Sequence, residues 1–124
     1  MDRPLISNID FLGITFSIKS PDFDFTNFQK ILLNVYHKNI TPLLILTKTD
    51  LVSEEVLDTF LKKFHLSFKA LDIKVFALNF EDDNSVNLLK SFIAGKIVAF
   101  SGPSGVGKST LINKILDEDV LKIG

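Results

Sequence analysis

The sequence predicts a three-layer α/β fold, a parallel sheet of about four strands with helices on both faces. Short runs that are apolar on both alternating faces, such as residues 11–18 and 43–46, read as strands covered from both sides. Segments with apolar residues at helical spacing lie between them, so strand and helix alternate along the chain, the pattern of a parallel sheet with crossover helices. The octapeptide Gly102-Pro103-Ser104-Gly105-Val106-Gly107-Lys108-Ser109 joins the last apolar run to a helical segment, and it fills every position of the phosphate-binding pattern G-x-x-x-x-G-K-[ST].

Residues 11–18 are the first expected strand. Pro21-Asp22-Phe23-Asp24-Phe25 breaks the pattern, and Thr26 with Gln29 three residues on fits a capping box. Phe28, Ile31, Leu32, Val35 and Tyr36 then trace one face of a helix ending near Asn39. The second strand, 43–46, follows Pro42, whose missing N–H is tolerated at a strand start. Ser53 is the expected cap of the next helix, Glu54 and Glu55 suit its positive end, and Val56, Leu57, Phe60, Leu61 and Phe64 form its apolar stripe. Residues 73–78 read as the third strand. A helix from about Ser85 follows the polar cluster Glu81-Asp82-Asp83-Asn84; it buries Val86, Leu89, Phe92 and Ile93 and ends at Gly95. Residues 97–101 are the fourth strand. Leu111, Ile112, Ile115 and Leu116 mark the last helix, which the acidic run Asp117-Glu118-Asp119, unfavourable at a helix C-terminus, ends near Leu116.

Composition bounds the partners. At 124 residues the chain suits one domain, and 46% apolar residues, twelve of them Phe, supply its interior. The 14 basic and 15 acidic residues nearly cancel, so no electrostatic footprint for nucleic acid or an anionic membrane is present. The absence of cysteine excludes disulfides and cysteine-ligated zinc within these residues and is compatible with a reducing cytoplasm. His37 and His65 stand alone, without the spacing of a metal cluster. No apolar run is long enough to span a membrane and no export signal opens the chain, so the expectation is a soluble cytoplasmic protein with no membrane partner.

The chemistry concentrates at the octapeptide. Glycines let the backbone curl into a nest of N–H donors, and the helix that follows contributes the unpaired donors and partial positive charge of its N-terminus. This assigns the loop Gly102, Pro103, Ser104, Gly105, Val106 and Gly107 to phosphate binding, Lys108 to the β- and γ-phosphates and Ser109 to Mg²⁺. Ligands of parallel α/β sheets sit beyond the carboxyl ends of the strands. The loops after Leu46, Leu78 and Ser101 are therefore expected to converge. The first of them opens with Thr47-Lys48-Thr49-Asp50. Taken alone this is a solvated turn that caps the next helix through Asp50 or Ser53. Beside a phosphate loop it reads differently, because a carboxylate at Asp50 accepts from both N1–H and the exocyclic amine of guanine, and Lys48 can lay its stem on a base face.

The pair of motifs resembles those of the GTPases, whose guanine-specificity motif is [NT]-K-x-D. Thr47 stands where Asn is more usual. Val75-Phe76-Ala77-Leu78 takes the place of their third base-contacting segment, with Phe76 where Ser is usual, and the resemblance assigns the Ala77 N–H to guanine O6. Here the base motif precedes the phosphate loop. That order, with Arg3-Pro4, Asn8-Ile9-Asp10, Ser17 through Phe23, and Gly102 through Asn113, resembles the circularly permuted GTPases of the ribosome small subunit-dependent GTPase A family. The resemblance implies a P-loop NTPase fold, circularly permuted and incomplete, with sheet order 4-1-2-3. It implies GTP or GDP with Mg²⁺ as ligands, with Thr110 joining the loop residues at the phosphates, GTP hydrolysis by the full-length protein, and a role on the small ribosomal subunit and its rRNA. Residues 1–124 would then be part of a G domain. The OB-type domain, the switch segments and the zinc-binding domain of the family are absent from this sequence, and the isolated chain is expected to bind nucleotide without turning it over. The open outer edge of strand four would pair with a second copy, be covered by the chain's own terminus, or aggregate. Two alternatives stay open at this stage, a nucleotide kinase whose phosphate loop resembles that of guanylate kinases, and a nucleotide-binding module without catalysis.

Overall fold

A computed structural model describes residues 9–36, 38–116 and 122–123. Arg3-Pro4, Asn8, His37, the acidic run at 117–119 and the side chain of Tyr36 lie outside the described residues. The chain runs β1 (Phe11–Ser17), α1 (Phe25–Tyr36), β2 (Thr41–Thr47), α2 (Glu54–Ser67), β3 (Lys74–Ala77), α3 (Asp83–Ile93), β4 (Ile97–Ser101), α4 (Lys108–Leu116) and a two-residue β5 (Lys122–Ile123). The sheet order is β3-β2-β1-β4-β5, every pairing parallel. The carboxyl ends of β1, β2, β3 and β4 therefore point the same way. At the opposite end Asp10 fastens three strands together: its N–H donates to Ile97 O at 2.8 Å, its carboxylate accepts from Ile97 N at 2.9 Å, and its carbonyl accepts from Thr41 N at 3.2 Å.

Strand alternation divides the core into two layers. Ile14 and Phe16 of β1 and Leu44 and Leu46 of β2 face α1 and α2, where Phe28, Leu32, Val35, Phe64 and Phe68 meet them. Leu43 and Ile45 face the other way and pack with Leu89 and Ile93 of α3, Val98 of β4, and Leu111 and Ile115 of α4. The first layer is strongly aromatic. Phe64 is completely buried, with its ring 5.3 Å from that of Phe28 and 4.9 Å from that of Phe68. Phe23, on the connection before α1, closes the layer against Phe60 at 4.9 Å. In the second layer Gly13 leaves the room that Ile45 and the ring of Phe100 occupy; a Cβ there would lie 2.8 Å from one and 3.0 Å from the other.

The structure departs from the sequence expectations at element ends and on helix faces. The first helix is capped by Asp24, whose carboxylate accepts from Asn27 N at 3.0 Å, not by Thr26. Either residue type can cap; the observed start puts Phe25 where it stacks among Phe23, Phe60 and Phe68. Ser53 does cap α2, accepting from Val56 N at 3.2 Å. Val56 itself is half exposed, because α2 turns Leu57, Phe60, Leu61 and Phe64 inward instead. The third helix starts at Asp83 under a cap from Asp82, two residues before the expected Ser85. Phe92 is only partly covered, 38% exposed, its ring lying against Phe11 and Phe76 at 5.2 Å each. Pro42 falls inside β2 rather than before it, which is tolerated because β3 joins β2 only from Leu43 onward. The outer edge of β4 is not wholly open: Lys122–Ile123 pairs with Ile97 and Val98, and no described residue pairs with the rest of that edge.

The contrast on α2 is measurable. Phe64→Ala should cost about 3–5 kcal/mol in urea denaturation, whereas Val56→Ala, at a position expected to be buried and found exposed, should stay within about 0.5 kcal/mol.

Candidate functional site

The loops at the carboxyl ends of the strands meet around residues 102–107. Three glycines make that loop possible, with φ of 144° at Gly102, 82° at Gly105 and 95° at Gly107. Gly102 passes so close to β1 that a Cβ would sit 2.0 Å from the Thr15 carbonyl oxygen, and at Gly107 one would lie 3.0 Å from the ring of Phe80. Val106 is fully buried and pins the middle of the loop to the body of the protein. The loop and the first turn of α4 surround a cleft of about 460 Å³, lined by Gly102, Pro103, Ser104, Gly105, Gly107, Lys108, Ser109 and Thr110. These are all the residues of the predicted phosphate site except Val106.

A loop that gathers N–H groups toward one point must turn carbonyls elsewhere, and here those carbonyls have donors. Lys108 Nζ donates to Gly102 O at 3.0 Å. Lys48 Nζ donates to Gly105 O at 2.9 Å. The Thr47 hydroxyl donates to Val106 O, and Leu111 N in the first turns of α4 donates to Gly107 O at 2.9 Å. Two of the four donors come from the Thr47-Lys48-Thr49-Asp50 segment at the end of β2. The structure thus brings together the two motifs that the sequence separates by more than fifty residues.

Within that segment each residue has a distinct place. Thr47 is completely buried with its hydroxyl committed to the loop, so it supports the site from below. Lys48 adopts a left-handed backbone conformation, φ 60°, that aims its side chain across the loop. Thr49 was not singled out by sequence, yet its N–H and hydroxyl both donate to Leu78 O, at 3.2 and 3.0 Å, tying the end of β2 to the loop after β3. Nothing in the spacing of a lone threonine announces such a long-range bond. Asp50 sits exposed in the short 3₁₀ turn Thr49–Leu51, and Ser53 rather than Asp50 caps α2, so the carboxylate is not consumed by the helix.

Ala77 lies within β3, paired with Leu46. The next residue, Leu78, turns its N–H toward β2 and donates to Leu46 O at 2.7 Å. Successive residues of an extended strand present their N–H groups to opposite sides, so the Ala77 N–H faces the outer edge of β3. The loop over the strand ends begins two residues later. Asn79 N is held by the Ser85 hydroxyl at 3.1 Å, and Phe80 packs on Gly107. His65 is exposed on α2 with its ring against Phe64, and the described residues contain no group of three His, Asp or Glu side chains able to hold a metal ion.

A family model described as RsgA GTPase matches residues 1–124. The small ribosomal subunit biogenesis GTPase RsgA of Fusobacterium nucleatum is 35% identical over 123 residues, which are 98% of this chain and 42% of that protein. The protein of the same description from Clostridium beijerinckii is 34% identical over 122 residues, 98% of this chain and 41% of that one. This chain therefore spans about two fifths of the length of these curated relatives. Among solved structures it is similar to YjeQ from Thermotoga maritima, with a TM-score of 0.75 and 25% identity over 87% of this chain and 38% of that chain. It is also similar to YloQ, a circularly permuted GTPase, with a TM-score of 0.70 and 26% identity over 86% and 37% of the two chains.

Removing the Thr47 hydroxyl tests the support under the loop. Thr47→Val should leave the Val106 carbonyl without its donor and lower stability by about 1–3 kcal/mol in urea denaturation without nucleotide. Thr47→Ser, which keeps the hydroxyl, should recover most of that loss.

Proposed function

This chain belongs to the RsgA GTPase family, and from that premise we propose that residues 1–124 are the guanine-nucleotide-binding part of a GTPase that acts in biogenesis of the small ribosomal subunit. The observation that carries the reading is the bond from Lys48 Nζ to Gly105 O, which joins a base-side motif to a phosphate-side loop in one site. A nucleotide lying across that junction has its phosphates in the cleft of residues 102–110 and its base over the stem of Lys48. Asp50, exposed two residues beyond Lys48, accepts from N1–H and the exocyclic amine of guanine. Adenine has no N1–H, so the same carboxylate rejects it. We assign the backbone contact at the far edge of the base to Phe80 rather than Ala77, since Phe80 lies on the loop that reaches the phosphate side.

Lys108 supplies a cation to the β- and γ-phosphates when water attacks the γ-phosphate in GTP hydrolysis. Ser109, exposed in the first turn of α4 beside the cleft, is the residue that would hold Mg²⁺. A single hydroxyl suits that ion, which keeps most of its ligands as water and phosphate oxygen and, when bound, neutralises charge that develops on the transferred group. The positioning of the attacking water is assigned to none of the described residues.

Base choice is the direct test. Asp50→Asn exchanges an acceptor for a donor at one edge and should shift preference from GDP to XDP; a titration in which the variant keeps the parent's preference for GDP would refute the assignment. Lys108→Ala should weaken GDP binding by about 1.5–3 kcal/mol, the loss of a charge-assisted contact. Its melting temperature without nucleotide should stay close to the parent's, because Lys108 lines the cleft and supports no core residue.

A further inference from the structure

We propose that Ser17 is a positioning residue for the base-side lysine, acting through the turn that follows β1. The inference rests on the nucleotide-binding reading above and goes beyond it, because Ser17 to Pro21 contain none of the residues to which that reading gives a contact. Ser17 is the last residue of β1 and is only 1% exposed. Its hydroxyl reaches forward to donate to Pro21 O at 2.6 Å, closing residues 17–21 into a tight turn. Within that turn Ser20 has φ 56°, a left-handed conformation uncommon for a residue other than glycine. The turn delivers the Ser20 carbonyl to Lys48 Nζ, which donates to it and to Gly105 O together. The ammonium is thereby held at two points, one on the phosphate loop and one on the turn.

The consequence is preorganisation. An unheld lysine has a flexible four-carbon stem, and a base that stacks on it must first restrict it. With the head fixed between two carbonyls the stem already spans the site, and binding does not have to order it. The buried hydroxyl of Ser17 is what holds one of those carbonyls in place. A small polar residue at the end of a mostly apolar strand thus has a reason to be polar, since an apolar side chain there would leave the turn unpinned.

Two variants break the contact from different sides. Ser17→Ala removes the pin from within. Ser20→Val places a β-branched residue at a positive φ, which it tolerates poorly, and disturbs the turn from solvent, because the Ser20 side chain is exposed. Each should weaken GDP binding roughly three- to tenfold, the value of one ordinary hydrogen bond, with most of the change in the dissociation rate. In a Lys48→Met background, where the stem remains and the ammonium does not, the same changes should alter affinity by less than about 1.5-fold. That coupling separates positioning from a general loss of stability, which would persist in both backgrounds. If Ser17→Ala fails to fold, Ser20→Val carries the test by itself. Parental GDP affinity in a folded variant, or an undiminished effect in the Lys48→Met background, overturns the proposal. A parent chain that binds GDP no better than ADP overturns the nucleotide-site reading itself, and that outcome is distinct from the first two.

Discussion

The Thr47 hydroxyl on the Val106 carbonyl is the contact on which the site depends. An anion-binding loop concentrates N–H donors by turning its carbonyls back toward the protein, and a carbonyl turned into a buried space without a donor costs about 1–3 kcal/mol. Thr47 supplies that donor to the buried Val106 carbonyl, while Lys48, Lys108 and the first turns of α4 donate to the less buried carbonyls of Gly105, Gly102 and Gly107. Three of these donors belong to residues whose types the nucleotide reading already requires. The loop, the base motif and the helix are therefore one hydrogen-bonded unit, and loosening any of them alters the shape of the phosphate cleft.

That unit can form only if the strands beneath it are in register. Thr47 ends β2 opposite Ser17 of β1, and Ser101 of β4 lies opposite Ile14 of β1, so the phosphate loop leaves the sheet three residues short of where β1 and β2 end. The stagger brings Gly102 against the Thr15 carbonyl and lets Val106 reach under Thr47. A shift of one residue in β2 would turn Thr47 to the opposite face of the sheet. Register is protected by the two-sided core. Ile14, Phe16, Leu44 and Leu46 are bound to the layer under α1 and α2, and Leu43 and Ile45 to the opposite one, so a slip would misplace both sets at once. Packing energy in the layers is thus converted into positional accuracy at the strand ends.

Much of the fold was legible in the chain because its signals are local. The apolar runs of β1 and β4, the cap at Ser53, the positive-φ glycine after α3 and the full phosphate motif each sit within a few residues of the structure they specify. Errors arose where two local solutions were equally available. Asp24 and Thr26 are both competent caps, and only the position of Phe25 in the aromatic layer decides between them. Val56 and Phe92 fit helical periodicity as well as their buried neighbours do, but a helix resting on a sheet covers a narrower arc than its apolar residues occupy. The direction of the Ala77 N–H follows from pairing with β2, which residue spacing alone does not show.

The sequence by itself determined the alternation of strands and helices, the glycine positions that a phosphate loop needs and the presence of a carboxylate suited to guanine, since each depends on residue type at short spacing. Only the tertiary structure decided what holds these parts together. Thr47 meets Val106 across 59 residues, Lys48 meets Gly105 across 57 and Ser20 across 28, and Thr49 meets Leu78 across 29. Hydrogen bonds of that span leave no periodicity or spacing in the chain, because their partners become neighbours only after the sheet has formed and its register has brought the strand ends together.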